Sequence, residues 1–507
     1  MANKLFTTRG SEEILTELFH WTKIEYAALA RIAIALSVKQ SAARVQIEKD
    51  ETGKEFNRYS LAGSYDIFLK SIMSVVHGRQ LSDDEYFSTY MKSHLDDGCT
   101  ILNRLWKESE ASVDQFLAKI SAVAPSTQTE IYRGRVPRLE ITVGVEQLTN
   151  EPVILRLNDT RKHANPHLSI MGKPGTGKTQ SLLKILADIR NHSGFETNFI
   201  FLDYKGDVSL NETFVAATQA QVFSLPRDVL PINPFVLPNY DPMQVKFSAE
   251  EKAESFASFE RGLGAVQKGK LSRAIEQAYE ARRQAGSEPY PDFRDVNQLV
   301  RSQYEEGDED KLTEILRRLT DFGLFWDHQS SQELYDTLHD KTFIVDLSKL
   351  PALKELVAYL IIERFYREMS ALPDSEVGEE TFRQIRTILV IDEAHNYLGQ
   401  KNQFLQKIVR EGRSKGIGVF FASQSPNDYN QDDFNFQELL EFVLIFQCEG
   451  VSARAIQNLV GCPQSVARDL QQDIARLQPG HVVTKPSVGA RSNYVEFTAT
   501  PFYKAYS

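Results

Sequence analysis

Gly172-Lys173-Pro174-Gly175-Thr176-Gly177-Lys178-Thr179 is the stretch that decides the fold. It satisfies G-x-x-x-x-G-K-[ST], follows the strand-like His167-Leu-Ser-Ile-Met171 and opens the helical Gln180-Ser-Leu-Leu-Lys-Ile-Leu186, which is the strand, loop and helix context a phosphate-binding loop requires. The glycines let backbone N–H groups from Gly172 to Gln180 wrap phosphates at a helix N-terminus. Lys178 can reach β- and γ-phosphates, and the Thr179 hydroxyl can ligate Mg²⁺. A glycine-rich turn with a chance lysine would need neither the strand before it nor the helix after it. The expected cofactors are ATP and Mg²⁺.

A second nucleotide element should be a buried strand ending in an acid, and Ile388-Leu-Val-Ile-Asp392-Glu393 supplies it. Asp392 would complete the Mg²⁺ shell. Glu393 is placed to orient and polarise a water for attack on the γ-phosphate. Downstream, Val409-Arg-Glu-Gly-Arg-Ser-Lys-Gly416 carries two arginines ahead of the strand Gly418-Val-Phe-Phe-Ala422, which ends in Ser423-Gln424-Ser-Pro426. Gln424 sits where a γ-phosphate sensor would. Arg410 reads equally well as a solvated charge, whereas Arg413, in Gly-Arg-Ser-Lys-Gly, is expected to act as an arginine finger on a neighbouring subunit's ATP.

Around these motifs, short β-branched or aromatic runs at Asn198 to Leu202, Thr342 to Asp346, Thr387 to Ile391, Gly418 to Ala422 and Phe442 to Phe446 alternate with helical stretches. That alternation predicts an α/β fold with a parallel sheet. Residues 243 to 335 are charged and helical and read as an insertion into the α/β core. Ahead of it, Leu139 to Val143 and Pro152 to Arg156 are short β segments. Residues 12 to 117 have helical periodicity, with Ile14, Leu15, Leu18 and Phe19 on one face. Pro125 and its small polar neighbours place a boundary near residue 125, so the expected domains are 1–125, all-helical, and 130–507.

The chain has 507 residues, 42% of them hydrophobic and 25% charged, which is enough to bury a large core and is unlike a disordered or collagenous chain. Its net charge of −11 excludes a global basic field, so contact with nucleic acid needs a local patch or an assembled channel. Cys99, Cys448 and Cys462 are too dispersed for a disulfide framework or a zinc site. They suit a reducing cytosol. No apolar run reaches the length of a membrane span, so membrane insertion is not expected.

Taken together, these residues resemble the HerA and FtsK group of P-loop ATPases, hexameric DNA pumps with a RecA-like core. The resemblance includes Phe201-Leu-Asp-Tyr-Lys-Gly-Asp207, Leu230-Pro-Ile-Asn-Pro-Phe235, Asp-Glu-Ala-His at 392 to 395, the Gly-Arg-x-x-Gly turn and Ser-Gln-x-Pro. It covers residues 130 to 490. One departure is that Glu130 to Arg156 is too short for the β-barrel ahead of the core in archaeal HerA. The first 120 residues are similar to DndE, the small helical protein of bacterial DNA phosphorothioation systems, through Leu5 to Leu18, Leu29 to Ser37 and Glu55 to Gly63. That resemblance implies a module for nicked duplex DNA. Residues 1–125 hold 15 basic and 17 acidic side chains, so any phosphate-binding surface must be local. Arg9, Arg31 and Arg58 are the candidate contacts, and Arg31 reads equally well as a helix-surface residue.

Two functions from different classes follow. One is a cytoplasmic, ring-shaped, Mg²⁺-dependent ATPase that moves along duplex DNA, a translocase or helicase-like motor of a bacterial DNA modification or anti-phage defence system. It would assemble as a homo-oligomer, a hexameric ring, and serve partner nuclease or modification proteins on nicked or modified duplex DNA. The other is an ATP-regulated, DNA-bound scaffold or switch that controls such a partner.

Overall fold

The computed structural model describes the chain apart from residues 1–3, 41–44, 48, 63–65, 110–111, 124–135, 238–240, 260–262, 286–289, 351–352, 379–380, 399–401, 432–433, 487–491 and 507. It divides into two compact units, Met1–Gly134 and Arg135–Ser507. The boundary expected near residue 125 lies outside the described residues.

The first unit is built on helices. Arg9–Thr22 starts at Thr8, whose side chain accepts from the Ser11 N–H, the usual way a helix N-terminus satisfies a free donor. Helices Tyr26–Gln40 and Lys92–Glu108 cross so closely that a Cβ on Gly98 would meet the Ala33 carbonyl oxygen at 1.9 Å. No larger residue fits there. Leu15, Leu29, Ala33, Phe87, Leu95, Cys99 and Leu102 form the buried core. One feature escapes the helical periodicity: β1 (Lys4–Phe6) pairs antiparallel with β2 (Glu55–Asn57). Three-residue strands are too short to show alternation in a sequence.

The second unit is organised by an eleven-stranded sheet. Its strands are β3 (Glu140–Glu146), β4 (Pro152–Arg156), β5 (Leu168–Met171), β6 (Asn198–Asp203), β7 (Gln221–Ser224), β8 (Phe343–Asp346), β9 (Thr387–Ile391) and β10 (Ile417–Ser423). A separate ribbon pairs β11 (Asn430–Gln431) with β12 (Phe434–Asn435), and β13 (Phe442–Ile445), β14 (His481–Thr484) and β15 (Val495–Ala499) complete the sheet. The order is β4-β3-β15-β14-β13-β5-β10-β9-β6-β8-β7. From β13 to β7 every pairing is parallel, and from β13 through β14 to β4 it is antiparallel.

Apart from the edge strand β7, the parallel strands are largely apolar because both faces are covered. Successive residues go to opposite sides: Met171, Leu202, Leu389, Phe421 and Val443 join one core, while Ile170, Phe201, Val390, Phe420 and Leu444 join the other. The phosphate-loop helix, Lys178–His192, packs Leu182, Leu186 and Ile189 into the second core. In β3, by contrast, Ile141 and Val143 are buried and Thr142 is exposed, the alternation of a strand with one solvated face. The β segments ahead of the core thus extend the sheet.

Between β7 and β8 the chain forms helices Pro242–Phe259, Ala265–Ala285, Phe293–Arg301 and Lys311–Asp321. Val245, Phe256, Ile275, Val296 and Leu316 bury into the first core. Lys252 is 1% exposed and donates at 2.8 Å to Glu363, 0% exposed, on helix Lys354–Ala371. Breaking a buried pair leaves an uncompensated charge, which costs about 3–5 kcal/mol. Glu363→Gln is therefore expected to lower stability by an amount of that order, read as a fall in the guanidinium midpoint. An unchanged midpoint would show that the pair does not fasten these helices.

Candidate functional site: a phosphate loop beside a held glutamate

The loop after β5 turns on three glycines with positive φ: Gly172 at 154°, Gly175 at 80° and Gly177 at 109°. A Cβ on Gly172 would lie 2.6 Å from the Phe446 Cβ and 2.9 Å from the Thr176 hydroxyl, so Phe446 is a floor against which only glycine fits. Neighbouring strand ends hold the loop in place. The Gly172 N–H donates to the Ser423 carbonyl at 3.2 Å, the Lys173 N–H to the Gln447 carbonyl at 2.8 Å, and the Gly480 N–H to the Thr176 carbonyl at 2.9 Å.

Lys178, the first residue of its helix, folds its ammonium back onto the carbonyls of Gly172 and, at 2.9 Å, Lys173. Burial pulls its pKa below the ordinary lysine value, and the nearby Glu393 and Asp392 charges act against that pull. Thr179 and Pro174 are exposed at the mouth of the loop, and Gln180 is half-buried. An anion with several oxygens suits this set: backbone donors, a lysine curled onto loop carbonyls, and a rim open to solvent.

Beside the loop, Asp392 and Glu393 follow directly on β9. The Asp392 carboxyl is pushed up to about 7, first by burial and then by the charges of Glu393 and Asp203. A divalent cation would relieve this crowding of acids. Glu393 is 4% exposed and its backbone is left-handed, with φ 48°. Its carboxylate forms an ion pair with Lys205, accepts from Gln424 Nε2 at 2.9 Å, and lies 3.3 Å from His395 Nδ1. Burial alone would raise the Glu393 pKa, but the hydrogen bonds from Lys205 and Gln424 outweigh it and hold the group below the usual range. Glu393 is thus a buried, ionised carboxylate held in one orientation.

The structure brings Lys178, Thr179, Asp392, Glu393 and Gln424 to one end of the parallel strands. Arg413 lies elsewhere. It is exposed in the turn before β10, whereas Gln424 follows the seven residues of that strand. At ~3.3 Å per residue the two ends of β10 are about 20 Å apart, so Arg413 cannot serve the phosphate loop of its own chain. Arg410 is exposed and sits over the Phe434 ring at 4.5 Å.

Sequence reasoning missed Lys205. The signal was Asp203-x-Lys205-Gly206. Asp203 is fully buried at the end of β6 and accepts from the N–H groups of Gly206 at 2.8 Å, Val208 at 3.0 Å and Ser209 at 2.9 Å, which shapes the turn that presents Lys205 to Glu393. Gly206 is required because φ is 83° and a Cβ would meet the Ser348 hydroxyl at 2.7 Å.

In the first unit the structure corrects one candidate. Arg58 is committed to Asp66 and Asp83, each at 2.7 Å, so its charge is neutralised within the fold and is not offered to a phosphate. Arg9 and Arg31 are exposed.

Residues 143–369 match the family model of the helicase HerA central domain, and residues 4–109 match that of DNA sulphur modification protein DndE. Over 347 residues the chain is 20% identical to "Probable helicase MJECL08" of Methanocaldococcus jannaschii, covering 62% of this chain and 63% of that one. Over 274 residues it is 24% identical to the DNA import protein CedB of Sulfolobus acidocaldarius, covering 53% of this chain and 41% of that one. The chain thus covers less than two thirds of either relative. Among solved structures, VirB4 of Thermoanaerobacter pseudethanolicus aligns over 72% of this chain and 98% of its own at a TM-score of 0.53 and 17% identity, which is a shared fold. No helix among the described residues is long and apolar enough to cross a membrane.

Proposed function

We propose that this chain, which carries a DndE domain ahead of a HerA central domain, is a cytoplasmic ATPase that drives movement along duplex DNA in a DNA modification or defence system. The observation that carries this reading is Glu393: buried, ionised and held by Lys205 and Gln424 beside a phosphate loop. A nucleotide switch has little use for such a base. A hydrolase needs one. Lys178 and the loop N–H groups bind and orient the phosphates, Glu393 accepts the proton of the attacking water, and Gln424 keeps the Glu393 carboxylate in register. Bound Mg²⁺ would neutralise phosphate charge, and Thr179 and Asp392 would hold it. The relatives named for helicase action and DNA import support DNA as the partner. Arg413 fits a ring, a hexamer in the resembling group, in which each subunit completes its neighbour's site.

The scaffold reading has one observation in its favour. Lys205 neutralises Glu393, so turnover waits until Lys205 is drawn away, and ATP could be held for a long time as a signal to a partner nuclease or modification enzyme. The two readings separate in one assay. If duplex DNA raises ATP turnover and the protein displaces a third strand from a triplex, it is a motor; stimulated turnover without displacement identifies the scaffold.

The same proposal assigns DNA targeting to the DndE domain. Neutralising phosphates releases counterions, so affinity should fall by roughly a decade for each two or three contacts between low and physiological salt. The full chain is expected to prefer nicked over intact duplex at fixed ionic strength, measured by titrating labelled duplexes at two salt concentrations. Equal affinity for both, with no salt dependence, would make the DndE domain a protein-interaction module.

A further inference from the structure

The strand order separates two flanks of the phosphate loop. On one side of β5 lie β10 and β9, which carry Gln424, Asp392 and Glu393, so the hydrolytic end of a nucleoside triphosphate belongs there. On the other lie β13, β14 and β15, and this flank is left for the ribose and base. Two segments from the far end of the chain meet the loop on that side. Gly480, just before β14, donates to the Thr176 carbonyl, and its Cα lies 3.9 Å from the position of a Cβ on Gly177. The helix Phe502–Ala505, just after β15, brings the Tyr503 N–H to the Gln180 side-chain oxygen at 3.3 Å.

That short helix is fastened. Phe502, 2% exposed, packs edge-on against Phe214, and Tyr506 donates to Asp188 at 2.6 Å on the phosphate-loop helix. Tyr503 is the exception. It is 59% exposed although Phe502 and Tyr506 on either side of it are anchored, so its backbone is held at a fixed place and its side chain is open to solvent. Pro479, also exposed, stands beside Gly480.

We propose that Tyr503 is the stacking platform for the purine base of the bound nucleotide. This rests on the ATPase reading above and adds to it the residue that recognises the nucleoside half. A ring presented by a rigid backbone loses little entropy when a base covers it, and base–aromatic stacking tolerates any purine because each has a π-face. Tyr503 therefore contributes affinity for the nucleoside and none for the phosphates, and it does not discriminate adenine from guanine.

The test compares binding of ATP, GTP and inorganic tripolyphosphate to the full chain by calorimetry with Mg²⁺, for wild type, Tyr503→Ala, Tyr503→Trp and Lys178→Ala, with melting temperature and particle mass recorded for each. Tyr503→Ala is expected to weaken ATP and GTP about tenfold and alike, the scale of one lost base stack, to leave tripolyphosphate affinity unaltered, and to be rescued by Tyr503→Trp. Lys178→Ala should weaken all three. Unaltered ATP affinity in Tyr503→Ala overturns the assignment. So does an equal loss for ATP and tripolyphosphate, which would mark a structural role, or a loss accompanied by a change in particle mass, which would place Tyr503 at a subunit boundary. If wild type binds neither ATP nor tripolyphosphate, the ATPase reading itself has failed, and this inference with it.

Discussion

Arg413→Ala is expected to lower ATP turnover about a thousandfold, the scale on which an arginine finger acts, while each subunit keeps its affinity for nucleotide. The reason is position. Arg413 is exposed in the turn before β10, at the end of that strand remote from its own phosphate loop, so a phosphate it contacts would belong to a neighbour. Complementation follows from that geometry. In a ring mixed from Arg413→Ala and Lys178→Ala subunits, some boundaries join an intact phosphate loop to an intact Arg413, and those sites should turn over. Partial recovery on mixing, together with a multimeric mass in the presence of ATP, would establish the shared site. A monomer at micromolar concentration whose mixtures regain nothing would refute it.

Glu393→Gln is expected to reduce turnover at least ~100-fold and to retain nucleotide binding, because it removes the base and leaves the loop intact. Lys178→Ala should do the reverse and lose binding first. The held state of Glu393 adds a further expectation. In the Glu393→Gln protein a neutral amide replaces the carboxylate that pairs with Lys205, so the 204–206 turn keeps its Asp203 frame but loses its charge partner. Single-turnover kinetics with binding measured in parallel separate the two variants. Near-normal hydrolysis by Glu393→Gln would remove Glu393 from the mechanism and, with it, the strongest ground for an ATPase.

What was legible in the sequence was local. The phosphate loop could be read because glycines with φ of 154°, 80° and 109° are a backbone requirement confined to six residues. Strands such as Thr387–Ile391 and Phe442–Ile445 could be read because burial on both faces writes an unbroken apolar run. The DndE-like helices could be read from their 3.6-residue repeat. Of the strands in the large sheet, β7, β14 and β15 escaped: β7 and β15 are only partly buried, β15 running Val495 and Glu496 half-buried, Phe497 buried and Thr498 exposed, and β14 is buried over no more than Val482 to Thr484. Their pattern carries too little contrast over four or five residues.

The sequence alone therefore determined the local elements of the candidate site: a phosphate loop, a strand followed by two acids, and a polar residue after the next strand. Only the tertiary structure decided the company these residues keep. It set Lys205 on Glu393, committed Arg58 to Asp66 and Asp83, put Arg413 out of reach of its own loop, and carried Tyr503 to Gln180 across 323 positions of chain. The physical reason is that backbone conformation and burial leave local traces, through φ preferences and periodicity. Which strand lies beside which is settled by the packing of whole elements, and no short stretch of residues records it.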